Sequence, residues 1–309
     1  MIFLRAFGVF ILLNLGLIFG AQGVDQPPPP PASHPGGDTG SSGFTTDSFR
    51  FDGRPVDVFL PQGAGPFPVV VFGHGQALGL EPYRLTFEHL AKKGVAVLFP
   101  QYDTGFFDQN WSRMAGDFAA MTEAALARYP QALRADQIIF SGHSKGAYIA
   151  LKAACLGRRL QSPPQALVLF QPADFSAQDF VSLNKSTPVT LIWAEEDKII
   201  PEQKLLDLFN QLPSRRKQLI TAVSYTETNP KHPADHFFVL TKASGFGGRT
   251  GVGPLHRYGS WKWLVGAAFD LRDGGRATND FVYGSETDST GVVGLKHKVA
   301  KQWAASSEQ

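Results

Sequence analysis

From about residue 49 onward the apolar positions of this chain keep two alternating periods. Short continuous apolar runs recur at Pro68–Phe72, Val95–Phe99, Gln137–Phe140, Ala166–Phe170, Val189–Trp193 and Lys217–Val223. Such runs predict strands buried on both faces. The segments between several of them have helical spacing. In Ser112–Tyr129, residues Met114, Phe118, Met121, Ala125 and Tyr129 recur at steps of four, three, four and four and draw one apolar face. Further helices are predicted to end at Glu88–Lys93, with Gly94 as the stop, and to cover Lys145–Leu156, Glu202–Leu212 between two prolines, and Trp261–Leu271. Asp52-Gly53 divides two strand-like stretches of Ser48–Leu60 and predicts a hairpin turn. Repeated strand–helix alternation implies an α/β domain, a mostly parallel sheet with helices on both faces, over residues 47–309.

The first 46 residues do not share this pattern. Arg5 and an apolar run from Ala6 to Phe19, interrupted by Asn14, lead to small residues at Gly20, Ala21 and Gly23. This is the layout of a secretory signal peptide over 1–23, which implies a secreted or periplasmic protein. The run is short for a bilayer span of roughly 20 residues; left uncleaved, it would be a membrane anchor and the chain's only membrane contact. Residues 24–46, with five consecutive prolines at Pro27–Pro31 followed by Gly, Ser and Thr, read as a linker.

Composition narrows the function. The 29 basic and 27 acidic residues leave a net charge of +2, so nothing marks a nucleic-acid-binding surface. Cys155 stands alone, which excludes an intrachain disulfide framework and a Cys-x-x-Cys metal site. The glycine-rich stretch 245–253 lacks the spacing of a dinucleotide loop. No metal, flavin or nucleotide is implied.

The chemistry concentrates where strands give way to loops. Strand residues 138–141 run into Gly142-His143-Ser144-Lys145-Gly146 and then into a helical pattern, the context required of a nucleophile elbow. Ser144 is the candidate nucleophile, and the backbone N–H of Lys145, at the start of the helix, is one candidate oxyanion donor. Gly73-His74-Gly75-Gln76 closes an earlier strand and supplies a second donor, the backbone N–H of Gln76. An acid and a base are then needed later in the chain. Asp197, at the end of Glu195-Glu196-Asp197, is the preferred acid, with Glu195 and Glu196 as alternatives. His236 is the preferred base, and His232, followed by Pro233, its alternative. Phe106, Phe107 and Trp111 cluster after the Val95–Phe99 strand and are candidate substrate-binding residues.

In these residues the chain resembles the alpha/beta-hydrolase superfamily, over roughly residues 50–285. Gly73-His-Gly75, the Gly142–Gly146 elbow, the Glu-Glu-Asp197 loop and Asp235-His236-Phe look like the dienelactone-hydrolase-like branch, which includes chlorophyllase-like and cutinase-like polyester hydrolases. The resemblance implies the alpha/beta-hydrolase fold. It also implies a Ser144–His236–Asp197 triad that cleaves small or medium, lipid-like or polymeric, esters through an acyl-enzyme. Dienelactone hydrolases proper carry cysteine at the elbow, so Ser144 points to an ordinary serine esterase. Acyl transfer or peptide cleavage on the same triad, and a non-catalytic binding protein of the same fold, are the competing readings.

Overall fold

The computed structural model describes residues 26–38, 42–103, 105, 107–157, 160–173, 180–226, 228–274 and 302–304. The expected signal peptide lies outside the described residues.

Among the described residues nine strands form one sheet. In chain order they are β1 (Phe44–Phe51), β2 (Arg54–Pro61), β3 (Phe67–Gly73), β4 (Ala96–Pro100), β5 (Leu133–His143), β6 (Ala166–Phe170), β7 (Val189–Ala194), β8 (Lys217–Ala222) and β9 (Gln302–Ala304). Their order in space is β1-β2-β4-β3-β5-β6-β7-β8-β9. The six strands from β4 to β8 are mutually parallel, whereas β1, β2 and β9 attach antiparallel at the two edges. Among the described residues five α-helices cover the sheet: α1 (Arg84–Lys92), α2 (Trp111–Arg128), α3 (Lys145–Ala154), α4 (Glu202–Gln211) and α5 (Trp261–Arg272). This is the alpha/beta-hydrolase architecture.

The period of two along each strand decides which helices it meets. Val69 and Val71 face a core shared with Met114 and Phe118 of α2, Ile149 of α3 and Leu205 of α4. Val70 and Phe72 face the opposite core, with Phe87 and Leu90 of α1 and Leu264 of α5. Both faces are dry, which is why these strands read as unbroken apolar runs rather than as alternation. The hairpin turn has Asp52 and Gly53 both at positive φ, 49° and 76°, as the Asp-Gly signal requires.

Two expectations differ from the structure. Strand β5 begins at Leu133, four residues before Gln137, because Leu133 already pairs with Phe67 of β3; the polar stretch 134–137 then bulges, and pairing resumes in a shifted register at Val69–Ile138. The proline-rich stretch 26–38, expected to be a linker, folds back on α1 and on the π-helical turn His256–Ser260 that leads into α5. Lys93 Nζ donates to the carbonyls of Ala32 (2.6 Å) and His34 (2.8 Å), His89 Nε2 to Pro35 O (2.8 Å), and the Tyr258 hydroxyl to Pro28 O (2.6 Å). A proline-rich backbone makes few internal hydrogen bonds, so its carbonyls are available to donors from the domain. At the other end of the linker, Phe44–Thr46 already belong to β1.

Candidate active site

The carboxyl ends of the parallel strands bring the candidate residues to one edge of the sheet. Ser144 follows β5 directly and has φ 56° and ψ −123°, a left-handed conformation that a non-glycine residue adopts only under constraint. The constraints are visible. Ser144 N–H donates to Phe170 O at 2.9 Å, and Ser144 O accepts from the N–H of Ala147 at 3.0 Å. The turn also requires close backbone approach. A Cβ on Gly146 would stand 2.1 Å from Gly73 O, and one on Gly142 would stand 2.5 Å from Gly146 O. Both elbow glycines are therefore needed for space, and Gly73 faces the elbow at the end of β3.

Lys145 opens α3, where the first N–H groups of a helix have no intrahelical acceptor. Its buried side chain leads away to an ion pair with Asp103, Nζ to Oδ2 at 3.1 Å. The other candidate donor, the Gln76 N–H, follows Gly75 after β3. Gly75 O accepts from His74 Nδ1 (3.0 Å) and from Leu78 N–H (3.1 Å). Because the peptide is planar and trans, pinning that carbonyl also fixes the direction of the Gln76 N–H. The His74 ring stacks on Tyr102, with centroids 4.4 Å apart and planes 12° off parallel. Burial holds the His74 pKa below its usual value.

Asp197 leaves β7 and is buried, as is His236. His236 Nδ1 lies 2.8 Å from Asp197 Oδ2. The other oxygen, Oδ1, accepts from the N–H groups of Ile199 and Ile200, each at 2.8 Å. Burial alone would raise the Asp197 carboxyl. The hydrogen bond and charge of His236 and the two backbone donors outweigh it and leave the pKa below the usual carboxylate value. Since the carboxylate only accepts, His236 carries its proton on Nδ1, which leaves Nε2 a lone pair on the side away from Asp197. No hydrogen bond joins Nε2 to Ser144 Oγ among the described residues; such contacts commonly tighten only when substrate is bound.

The alternatives are turned elsewhere. Glu195 Oε1 accepts from Ser224 N–H at 2.5 Å, and Glu196 accepts from the Ser224 hydroxyl. His232 pairs through its backbone with Tyr225 and lines a separate small cavity of about 40 Å³ with Arg249, Gly253 and His256. Of the aromatic candidates, Trp111 opens α2 and packs edge-on against Tyr148 in the first turns of α3, with centroids 4.8 Å apart. Phe107 is 87% exposed, and Phe106 lies outside the described residues. Among the described residues no three His, Cys, Asp or Glu side chains converge on a metal-sized site.

One buried residue at this edge escaped sequence reasoning. Gln171, at the end of β6 with φ 48°, donates from Nε2 to Asp197 Oδ2 and to Asp235 O, both at 3.0 Å. Only its place directly after a core strand could have drawn notice, since its residue type carries no catalytic signal.

Residues 44–181 match the family model described as Chlorophyllase. Over this stretch the chain is similar to chlorophyllases, and its fold is that of an alpha/beta hydrolase. Chlorophyllase type 0 of Chenopodium album is 30% identical over 163 residues, which cover 45% of this chain and 47% of that protein. The chain thus spans about half the length of the curated relative it matches. The matched stretch includes the elbow and the Gly73–Gln76 loop but ends before Asp197 and His236, which are joined to it by geometry alone.

Proposed function

We propose that this chain is an exported serine hydrolase that cleaves carboxylic esters through an acyl-enzyme, with Ser144 as nucleophile, His236 as base and Asp197 as its orienting acid. The observation that carries this reading is the buried Asp197–His236 pair, 2.8 Å apart, on the same edge of the sheet as a left-handed serine flanked by two sterically required glycines. The likeness to a chlorophyllase supports ester chemistry independently.

The chemistry follows from the proton positions. Ser144 Oγ attacks the ester carbon while its proton passes to His236 Nε2, because an unassisted hydroxyl is a poor nucleophile at neutral pH. Asp197 keeps Nδ1 protonated and stabilises the imidazolium. The carbonyl oxygen becomes an oxyanion held by the N–H groups of Gln76 and Lys145; losing one such donor typically costs roughly 3 kcal/mol of barrier. Collapse breaks the bond to the alcohol oxygen, which takes the proton from His236. Water then repeats the sequence and releases the acid. The aromatic candidates Phe107 and Trp111 favour small to medium esters with apolar acyl or alcohol groups, lipid-like or polymeric. Among the described residues, no helix is long and apolar enough to cross a membrane.

The test is fluorophosphonate labelling of the chain from residue 24 onward, wild type beside Ser144→Ala, followed by nitrophenyl esters of rising chain length and by chlorophyll. Labelling and turnover confined to wild type are expected. A folded wild-type protein that neither labels nor turns over any ester would overturn the reading.

A further inference from the structure

His143, between Gly142 and Ser144 in the elbow, is fully buried and takes no part in the reaction above. Its Nε2 lies 2.7 Å from the carbonyl of His236 and its Nδ1 lies 2.9 Å from the hydroxyl of Tyr83. That hydroxyl in turn lies 3.1 Å from the N–H of Gly75. Every proton in this chain can be assigned. A carbonyl only accepts, so Nε2 carries hydrogen. Burial, reinforced by the neighbouring His236 ring, holds the His143 pKa at about 3, so the ring is neutral and Nδ1 is a lone pair. Tyr83 therefore donates to Nδ1. Burial raises the Tyr83 phenol above its usual pKa and keeps the proton on it, and its oxygen accepts from Gly75 N–H.

The run is thus Gly75 N–H to Tyr83 O–H to His143, and His143 Nε2–H to His236 C=O. It begins in the loop that carries the Gln76 donor, crosses the residue before Ser144, and ends on the backbone of the base. The Tyr83 ring is clamped by Phe72, Phe87 and Phe99, with centroids 5.1, 6.0 and 6.1 Å away. A rigid phenol in an apolar cage leaves its hydroxyl little freedom to choose other partners.

We propose that Tyr83 and His143 are positioning residues that set the oxyanion loop and the base at a fixed separation on either side of Ser144. This rests on the proposed serine-hydrolase reading, and it assigns work to two residues which that reading leaves idle. The relay favours the transition state rather than substrate binding, because the oxyanion loop meets its charge, and the base its proton, only as Ser144 attacks the carbonyl.

The test uses kcat and KM for a nitrophenyl ester, with active serines counted by fluorophosphonate so that unfolded protein does not enter the rate. Tyr83→Phe keeps the ring in its cage but removes both hydroxyl bonds. His143→Gln keeps an amide donor for the His236 carbonyl and removes the acceptor for Tyr83; His143→Leu removes both. Tyr83→Phe and His143→Gln are each expected to lower kcat per labelled serine on the order of tenfold with KM unchanged. His143→Leu should lose more, with His143→Gln as its partial rescue. Because one chain is cut in either case, the Tyr83→Phe/His143→Gln double variant should fall no further than the single variants. Wild-type kcat in the labelled fraction of the single variants, or losses that multiply in the double variant, would overturn the relay. A wild-type protein that fails to label would instead overturn the serine-hydrolase reading beneath it.

Discussion

Gln171 Nε2 donates to Asp197 Oδ2 at 3.0 Å, onto the same carboxylate oxygen that accepts from His236 Nδ1. With Ile199 and Ile200 on Oδ1, the carboxylate has two donors on each oxygen, and no other side chain is needed to hold it. The same amide nitrogen reaches Asp235 O, so Gln171 ties Asp197 to the residue before His236. Gln171→Met should therefore lower kcat on the order of tenfold with KM little changed. Steady-state kinetics check this. Thermal melts should show only a small shift, because the substitution also removes the buried Gln171 Oε1, which has no partner.

Asp197→Asn should cost far more than changes at the neighbouring acids. Its carboxylate selects the imidazole tautomer, and the comparable change in serine triads lowers turnover by about 10⁴. Glu195→Gln and Glu196→Gln should stay within a few-fold of wild type, since both side chains are spent on Ser224. A rate assay over the three variants ranks the acids directly.

Gly146→Ala should prevent formation of the native elbow. A methyl there would meet Gly73 O at 2.1 Å and His74 O at 2.6 Å, both backbone atoms of the Gly73–Gln76 loop that cannot rotate away. Overpacking of this kind costs typically 1–3 kcal/mol, and more where backbone must move. Expected outcomes are a lowered melting temperature and loss of fluorophosphonate labelling even in the soluble fraction.

Most of the sheet was legible because both of its faces are covered, which turns each parallel strand into an apolar run that periodicity detects. Asp197 and His236 are preferred in the sequence for their places just beyond strand ends, a preference that rests on position and leaves Glu195, Glu196 and His232 open. The sequence brackets those rivals within a few residues of each other, and only the direction of each side chain separates them. Gln171 and Tyr83 were not legible, because their work depends on polar atoms reaching 26 and 60 residues along the chain. The docking of residues 26–38 was hidden for another reason. Its donors, His89, Lys93 and Tyr258, sit on helical turns whose sequences read as ordinary, and the acceptors are backbone carbonyls.

That docking can be tested by Lys93→Met. The substitution keeps the aliphatic stem but removes both hydrogen bonds to Ala32 and His34. Hydrogen bonds from a charged donor contribute about 1.5–3 kcal/mol each where they are buried, and less for a half-buried lysine. Limited proteolysis should then cut within residues 26–38 much faster than in wild type. Ester turnover should be unchanged, because this face lies on the α1–α5 side, away from Ser144. Equal cleavage rates would place the hold on the segment elsewhere, in the Arg257–Asp38 pair or the Tyr258 bond.

Acid should unfold this protein earlier than its carboxylates alone would. Burial holds His89 and His256 at about 4 and His143 at about 3, all below the ordinary histidine value of 6.5. Below pH 6.5 the unfolded chain takes up protons that the folded protein refuses, so stability is complete above that pH and falls as acid is added. Each histidine costs about 1.4 kcal/mol per pH unit until its folded pKa is reached. Three together amount to roughly 4 kcal/mol per unit near pH 5, a large share of a typical 5–15 kcal/mol. Asp197, held below its usual value, adds to the loss only further down, as pH falls below its unfolded value of 3.8. Urea titrations at pH 7.5, 6.0 and 5.0 should show midpoints that drop steeply over the last interval. His256→Gln keeps a donor for Leu240 O and removes one titrating ring, so its slope should be shallower than that of wild type. Equal midpoints at pH 7.5 and 5.0 would mean that the three rings take up protons in the folded state, contrary to their burial.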